Sequence, residues 1–369
     1  MKKGKILHVG YNSMKKAGVQ TVIMEITKNL YNYYDFDVLV FSNLPGELDN
    51  EFTKYGKIHR INCYYKNRIV NCLAYVIRPF KQFFQSYKLL KREKYDIVHI
   101  HNGFDSGPIL IACYFAKIKR IVVHSHNSPS PEKRSIFSKV YRAFSQYLIH
   151  KIANVRIGCS EQANKYLFKD DYSFVVNNPV NLDAFNIDNH PKKTHKSLNI
   201  ANVGRYSFQK NQMFLIDIFA EIMKLNKNSH LYLVGFGDNS DIINKAKQKN
   251  ILEYIDFLPA NTDIPKLFEK IDAFVFPSRH EGLGIALIEA QAMDICCICS
   301  DVVPKETNVG LCTYVNLAED QCVWAKKIME IVSEKADNRI KLDKDRIMQF
   351  DIKNIAQVYK EVVYNNEKN

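Results

Sequence analysis

The sequence predicts an α/β protein built from two Rossmann-like domains in tandem, and three observations lead there. Apolar runs rich in Val and Ile alternate with segments of helical period, the pattern of strand, helix, strand units around parallel sheets. The opening Ile6-Leu7-His8-Val9-Gly10-Tyr11 is echoed by Ile200-Ala201-Asn202-Val203-Gly204-Arg205-Tyr206. Each is a hydrophobic strand ending in Gly before a polar loop and a helix, which is how a doubly wound domain begins. At 369 residues the chain also exceeds what one hydrophobic core usually supports.

The elements follow in order. In the first half the strand candidates are Lys5–Val9, Asp37–Phe41, Asp96–His101, Arg120–His124 and Val155–Cys159. In the second half they are Leu198–Val203, His230–Val234, Ile255–Leu258, Ala273–Phe276 and Ile295–Cys299. Between the halves, Asn181–Ser197 is polar and contains Asn189-His190-Pro191-Lys192-Lys193, a linker pattern. The expected division is therefore residues 1–180, a linker 181–197, and residues 198–350. A helix over residues 351–366, read from the period of Asp351 to Tyr364, is expected to pack back on the first domain.

Composition bounds the function. Hydrophobic residues at 46% and charged residues at 25% suit a folded globular protein and exclude extensive disorder. The net charge of +13 is spread along the chain and suggests anionic partners: lipid, nucleotide or nucleic acid. No RNP-type or helix-turn-helix signature is present, so no nucleic-acid partner is expected. Nine cysteines is an odd count, and Cys296, Cys297 and Cys299 lie in one apolar run, which fits reduced thiols in the cytoplasm. Neither they nor any Cys/His spacing reads as a zinc site. The apolar run after Met1-Lys2-Lys3-Gly4-Lys5 is too brief for a signal peptide, and no stretch approaches the ~20 apolar residues of a membrane span.

The strongest chemical signal is Phe276-Pro277-Ser278-Arg279-His280-Glu281-Gly282-Leu283-Gly284-Ile285-Ala286-Leu287-Ile288-Glu289-Ala290. It places a Gly-bearing loop at a strand's carboxyl end and opens a helix, where α/β folds bind ligands and helix N–H groups face an anion such as a diphosphate. Glu281 precedes the helix and Glu289 lies in its second turn, so the two can hold different hydroxyls of one extended ligand. Glu289 is flanked by apolar residues and needs a partner there. Upstream, Gly204-Arg205-Tyr206-Ser207-Phe208-Gln209-Lys210-Asn211 sets an Arg fork and a Lys point charge after a strand, a pair suited to phosphate.

These segments resemble the family 4 type retaining glycosyltransferases of GT-B fold. Glu281 and Glu289 reproduce the family's E-x-x-x-x-x-x-x-E motif, and Gly204 to Asn211 is similar to its G-R-x-x-x-x-K-N segment. Val234-Gly235-Phe236-Gly237-Asp238 resembles the V-G-x-G-x loop near the nucleotide. Ile255-Asp256-Phe257-Leu258-Pro259-Ala260 is similar to the segment whose backbone reads the base, although the family has F-x-G where this chain has Pro259-Ala260. Lys16-Ala17-Gly18-Val19-Gln20-Thr21 occupies the place of the glycine-rich loop before the first helix, with Ala17-Gly18 where two glycines are usual. Val122-Val123-His124-Ser125-His126-Asn127 resembles the segment whose histidine contacts the donor sugar, and Asp96-Ile97-Val98-His99-Ile100-His101 is similar to the D-I-V-H-x-H strand. His99 and His101 share one face, but no third metal ligand is evident beside them, so packing is the expectation.

The resemblance implies a nucleoside-diphosphate sugar donor, UDP-sugar favoured, bound facing an interdomain cleft, and hexosyl transfer with retention and no metal cofactor. Arg205 and Lys210 would carry the leaving diphosphate's charge, Glu281 and His126 the sugar, and Glu289 the ribose. Gly18, Gly235, Gly237, Pro259, Gly282, Leu283 and Gly284 would complete the donor site. The acceptor implied is a saccharide, undecaprenyl-linked, in capsule or exopolysaccharide assembly at the inner face of the cell membrane. The stretch from Lys66 to Arg92 interleaves aromatics with cations, and it fits either an anionic membrane surface or a basic amphipathic core helix. The rival readings are an epimerase or phosphorylase of the same architecture, and a nucleotide-sugar-binding protein without catalysis.

Overall fold

The computed structural model describes residues 4–11, 13–63, 68–129, 135–169 and 172–365. Met1, Lys2 and Lys3, Lys66 and Asn67 of the basic aromatic stretch, and residue 366 of the C-terminal helix lie outside them. The chain divides into two compact units, one of residues 1–179 with 352–369 and one of residues 180–351.

The first unit holds seven parallel strands: β1 (Gly4–Val9), β2 (Tyr34–Val40), β3 (Gly56–Arg60), β4 (Ile97–Ile100), β5 (Arg120–Ser125), β6 (Val155–Gly158) and β7 (Phe174–Val175). Their order is β3-β2-β1-β4-β5-β6-β7. The second unit holds β8 (Leu198–Val203), β9 (Ser229–Gly235), β10 (Ile255–Pro259), β11 (Ala273–Phe276), β12 (Cys296–Ser300) and β13 (Cys312–Val315) in the order β10-β9-β8-β11-β12-β13. Each sheet winds outward on one side of its first strand and then on the other. That reversal leaves a crevice at the carboxyl ends of β1 and β4, and of β8 and β11, where doubly wound folds take ligands.

β4, β11 and β12 are buried on both faces, which is why they read as mostly apolar runs, broken only by His99 in β4 and Ser300 at the end of β12. β3, β7 and β13 were not expected. β3 is the polar edge sequence Gly-Lys-Ile-His-Arg, β7 is two exposed residues, and β13 is only half-buried, so none carries the apolar signal of an inner strand. β3 seats against β2 because Gly56 has no side chain: a Cβ there would lie 1.7 Å from the Phe36 carbonyl oxygen. From Arg68 onward the basic stretch lies on one helix, Arg68–Glu93, which runs through Pro79.

Residues 181–197 are tied to the second unit rather than spanning free. Lys192 Nζ donates to the carbonyls of Phe268 and Ile271 at 3.1 and 2.8 Å, and Lys193 N to that of Glu269 at 2.7 Å. At the other end the α-helix stops at Val358, and a π-turn, Tyr359–Val363, follows. In an α-helix, residues five apart face about 140° away from each other. The π-turn brings Tyr359 and Tyr364 together against the first sheet, both buried, while Arg120 grips the carbonyls of Val362 and Val363 at 2.7 Å.

Candidate active site

In the second unit the carboxyl ends of β10, β9, β8 and β11 lie side by side. Pro259 pairs in register with Gly235, so the segments expected to approach base and phosphate are adjacent. Gly235 sits so close to β8 that a Cβ would fall 2.1 Å from the Gly204 carbonyl oxygen. Gly237 has φ +113°, a left-handed conformation that glycine adopts without strain, and lies against the Tyr206 backbone.

Lys210, from the loop after β8, and Glu281, from the loop after β11, meet across the crevice between those strands. Lys210 Nζ lies 2.8 Å from Glu281 Oε1 and 4.4 Å from the centre of the Phe276 ring. Its stem crosses Gly204, where a Cβ would approach Lys210 Cε to 3.2 Å. Glu281 is 5% exposed, so its charge is held in a poorly solvated place by one cation.

The two loops are laced together beyond this pair. Asn211 caps the helix Gln212–Leu225 at φ +58° and donates from Nδ2 to the Pro277 carbonyl at 3.0 Å. Arg279 donates to Asn211 Oδ1 at 3.0 Å and lies over the Phe208 ring, and Gln209 donates to the His280 carbonyl at 2.9 Å. Gly284, at φ +91°, turns the chain into the helix Ile285–Ala292, which has no side-chain cap on its first N–H groups. The buried Leu283 accepts from Thr307 Oγ1 through its carbonyl, Gly282 is buried beside it, and Glu289 is half-buried in the helix's second turn. The Arg205 side chain is exposed and pairs with no carboxylate among the described residues.

Gly18 and His126 belong to the first unit. Gly18 begins the helix Gly18–Leu30, capped by no side chain, and a Cβ on it would meet nothing within 4 Å. The space over this helix start is open. His126 follows β5 and ends a row of five imidazoles: His8 on β1, His99 and His101 on and after β4, and His124 and His126 on and after β5.

His99 and His101 are joined by a third imidazole, His8, and His101 also belongs to a second triad with His124 and His126. The nitrogens of His8, His99 and His101, and those of His101, His124 and His126, lie within 4.8 Å of one another. The third partner comes from a neighbouring strand, through the register that sets His8 opposite His99. The nitrogens bond among themselves and to the C-terminal tyrosines. His8 Nδ1 is 3.0 Å from His101 Nε2, His101 Nδ1 is 2.8 Å from His126 Nε2, and His99 Nδ1 is 2.9 Å from the Tyr364 hydroxyl. Burial lowers His8 and His126 to about 3 and holds His99, His101 and His124 well below the usual imidazole range, with repulsion between the rings adding to it. All five are neutral.

Sequence reasoning left out Asn211, Arg279 and Gln209. They lie inside the quoted motifs and make the loop-to-loop bonds. Their polar side chains next to Lys210 and Glu281 were the available signal.

Comparison with known proteins agrees with this geometry. Residues 17–184 match the family model described as Glycosyltransferase Family 4, and residues 183–342 match Glycosyl transferases group 1. The chain is similar to the capsular polysaccharide biosynthesis glycosyltransferase CapH of Staphylococcus aureus, 26% identical over 97% of this chain and 98% of that one. It is 29% identical to the Escherichia coli UDP-Gal:alpha-D-GlcNAc-diphosphoundecaprenol alpha-1,3-galactosyltransferase over 62% of this chain and 63% of the relative. Its fold is similar to Anabaena HepE solved with UDP-glucose, at a TM-score of 0.75 and 17% identity, covering 97% and 98% of the two chains. With both domain families in succession and two parallel Rossmann-like sheets of the GT-B kind, the chain belongs to the family 4 type glycosyltransferases.

Proposed function

We propose that this glycosyltransferase moves a hexose from a UDP-sugar to a lipid-linked saccharide, retaining the anomeric configuration, in the assembly of a capsular or extracellular polysaccharide. The observation that carries the donor half is the Lys210–Glu281 pair at the crevice of β8 and β11, beside Gly235 and Pro259. Lys210 would stabilise the charge developing on the departing diphosphate, with Arg205 as second cation. Glu281 would orient sugar hydroxyls, Glu289 the ribose and His126 the sugar. The acceptor hydroxyl would attack from the face the diphosphate leaves, with no covalent intermediate. With two cations to take that charge, the reaction needs no resident metal. UDP is favoured by analogy with HepE and the E. coli relative, and the diphosphoundecaprenol acceptor of the latter supports a lipid-linked saccharide here.

The test is a panel of UDP- and GDP-sugars incubated with the full chain, following slow hydrolysis with and without EDTA. One UDP-hexose should be hydrolysed at a rate indifferent to EDTA. Isomerised nucleotide sugar would assign an epimerase instead, and no turnover of any donor or acceptor a binding protein.

The acceptor side supports peripheral contact with an anionic membrane at the inner face of the cell. Ile77, Phe80 and Phe84 on the basic helix are each about two-thirds exposed, and Ile136, Phe137, Val140, Phe144 and Tyr147 form an exposed stripe on the helix Ile136–Ile152. Lys88, Lys91 and Lys151 share those helices, giving an apolar face with charges at its edge. No described helix is long and apolar enough to cross a membrane. The protein should co-sediment with phosphatidylglycerol vesicles but not with phosphatidylcholine ones, and replacing Phe80, Phe84, Phe137 and Phe144 by Ser should abolish it. Equal recovery with both lipids would refute the surface.

A further inference from the structure

The loop after β8 carries two aromatic rings that lean to opposite sides of that strand. Tyr206 leans toward β9 and β10. Its hydroxyl donates to the Leu233 carbonyl at 3.1 Å, its ring lies 6.4 Å from that of Phe257, and Gly237 packs against its backbone. Phe208 leans toward β11, with the Arg279 guanidinium, from the loop after that strand, 4.4 Å from its ring centre. In the strand order β10-β9-β8-β11, Tyr206 therefore stands on the side of Pro259 and Gly235, and Phe208 on the side of Glu281.

A lone exposed aromatic is ordinary on a protein surface, and exposure alone gives Phe208 no role. What sets it apart is that it is 57% exposed while everything around it is fastened. Asn211 N donates to the Ser207 carbonyl at 3.2 Å and Arg279 N to the Gln209 carbonyl at 2.7 Å, so backbone bonds anchor the residues on both sides of it. The guanidinium behind the ring is itself held by Asn211 Oδ1 at 3.0 Å. One face of the ring is backed by a fixed cation and the other is open to water. A planar side chain fixed in this way binds a flat partner at little cost in conformational entropy.

Two parts of a nucleotide sugar and its acceptor are flat enough to stack: the nucleobase and a pyranose ring. The base is expected beside Pro259, on the Tyr206 side. A pyranose presents C–H groups on one face, whose positive edge complements the electron-rich face of an aromatic ring. Glu281, which would hold the donor sugar, is 5% exposed at the bottom of the crevice, whereas Phe208 stands outside it in water. The sugar that meets Phe208 is then the next one outward.

We propose that the open face of Phe208 stacks on a pyranose ring of the acceptor saccharide. The choice of acceptor over donor sugar rests on the donor reading of Lys210 and Glu281 above; that a pyranose stacks on this ring does not.

The test is saturation-transfer difference NMR on the UDP-saturated full chain with methyl and octyl pyranosides of the common hexoses, irradiating the protein's aromatic protons. One pyranoside should receive saturation at the C–H protons of one ring face, in the wild type and in Phe208→Tyr alike. Phe208→Leu should lose that signal and bind the pyranoside roughly 3–10-fold more weakly, the worth of one stacked ring. Its UDP affinity by calorimetry and its melting temperature should not change. No saturation of any pyranoside in the wild type overturns the proposal, and so does an equal signal in Phe208→Leu. Weaker UDP binding in Phe208→Leu would put the base on this ring and overturn it too. The signal should persist when UDP is replaced by a non-hydrolysable phosphonate analogue of a UDP-hexose; its disappearance would give the ring to the donor sugar and overturn the acceptor assignment. If the wild type binds no UDP at all, the donor reading fails by itself, and saturation transfer without UDP still decides whether a sugar stacks on Phe208.

Discussion

Replacing Lys210 by alanine is expected to lower kcat by about 10²–10³-fold with a smaller change in donor KM. The expectation follows from where the charge moves. A diphosphate leaving group gains negative charge as the glycosidic bond breaks, so a fixed cation beside it binds the transition state more tightly than the ground state. Lys210 is fixed: its ammonium is held at 2.8 Å by Glu281 and its stem lies over Gly204 and the Phe276 ring. The same substitution strands the buried Glu281 carboxylate, at a cost of about 1–3 kcal/mol, so a lower melting temperature should accompany the kinetic loss. Glu281→Gln separates the two effects. The amide still accepts from Lys210, so stability should change little while sugar orientation suffers. Steady-state donor hydrolysis and thermal melts of both variants check this. A folded Lys210→Ala enzyme with unchanged turnover would remove Lys210 from the diphosphate role.

Acid should unfold the first unit before the second. His8, His99, His101 and His124 are wholly buried and neutral, His8 lowered by burial to about 3 and the others well below the usual range. In the unfolded chain each takes up its proton near pH ~6.5. Between that pH and about 3 the unfolded state binds more protons than the folded one, so stability falls as pH falls. Each such histidine contributes about 1.4 kcal/mol per pH unit, and four together roughly 5.5. A domain stable by ~5–15 kcal/mol cannot survive more than about one to three units of this, so the transition should lie between about pH 5.5 and 3.5. The single tryptophan, Trp324, is buried in the second unit, so its fluorescence follows that unit while far-UV circular dichroism follows both. The dichroism loss should precede the fluorescence change, and replacing His99 and His124 together by Phe should roughly halve the pH slope. Coincident transitions would refute the histidine origin.

The inner strands and the glycine-bearing loops that follow them were legible in the chain because each carries its own signal. Ala273–Phe276 is a strand over the residues its apolar run marks, since a strand buried on both faces is largely apolar, and Leu198–Val203 is one too, its buried Asn199 and Asn202 donating to the carbonyls of Lys270 and Val275. Glu281, Lys210 and the glycines Gly235, Gly237 and Gly284 stand out by type: a charge beside apolar residues, or a conformation that needs no Cβ. The edges were illegible for the opposite reason. β3 and β7 are half-exposed or exposed, and their residues would serve equally in loops.

What the sequence by itself determined is the succession of strand, helix and strand, the two beginnings at Gly10 and Gly204, and which charged and glycine residues stand on the loops after the inner strands. All of these are encoded within a few neighbouring residues. Only the tertiary structure decided that His8 joins His99 and His101, that Tyr359 and Tyr364 reach back across more than two hundred residues to the same cluster, and that Lys210 closes on Glu281. Each is set by strand order and register, or by a π-turn. Those are properties of how distant segments pack, and no local pattern encodes them.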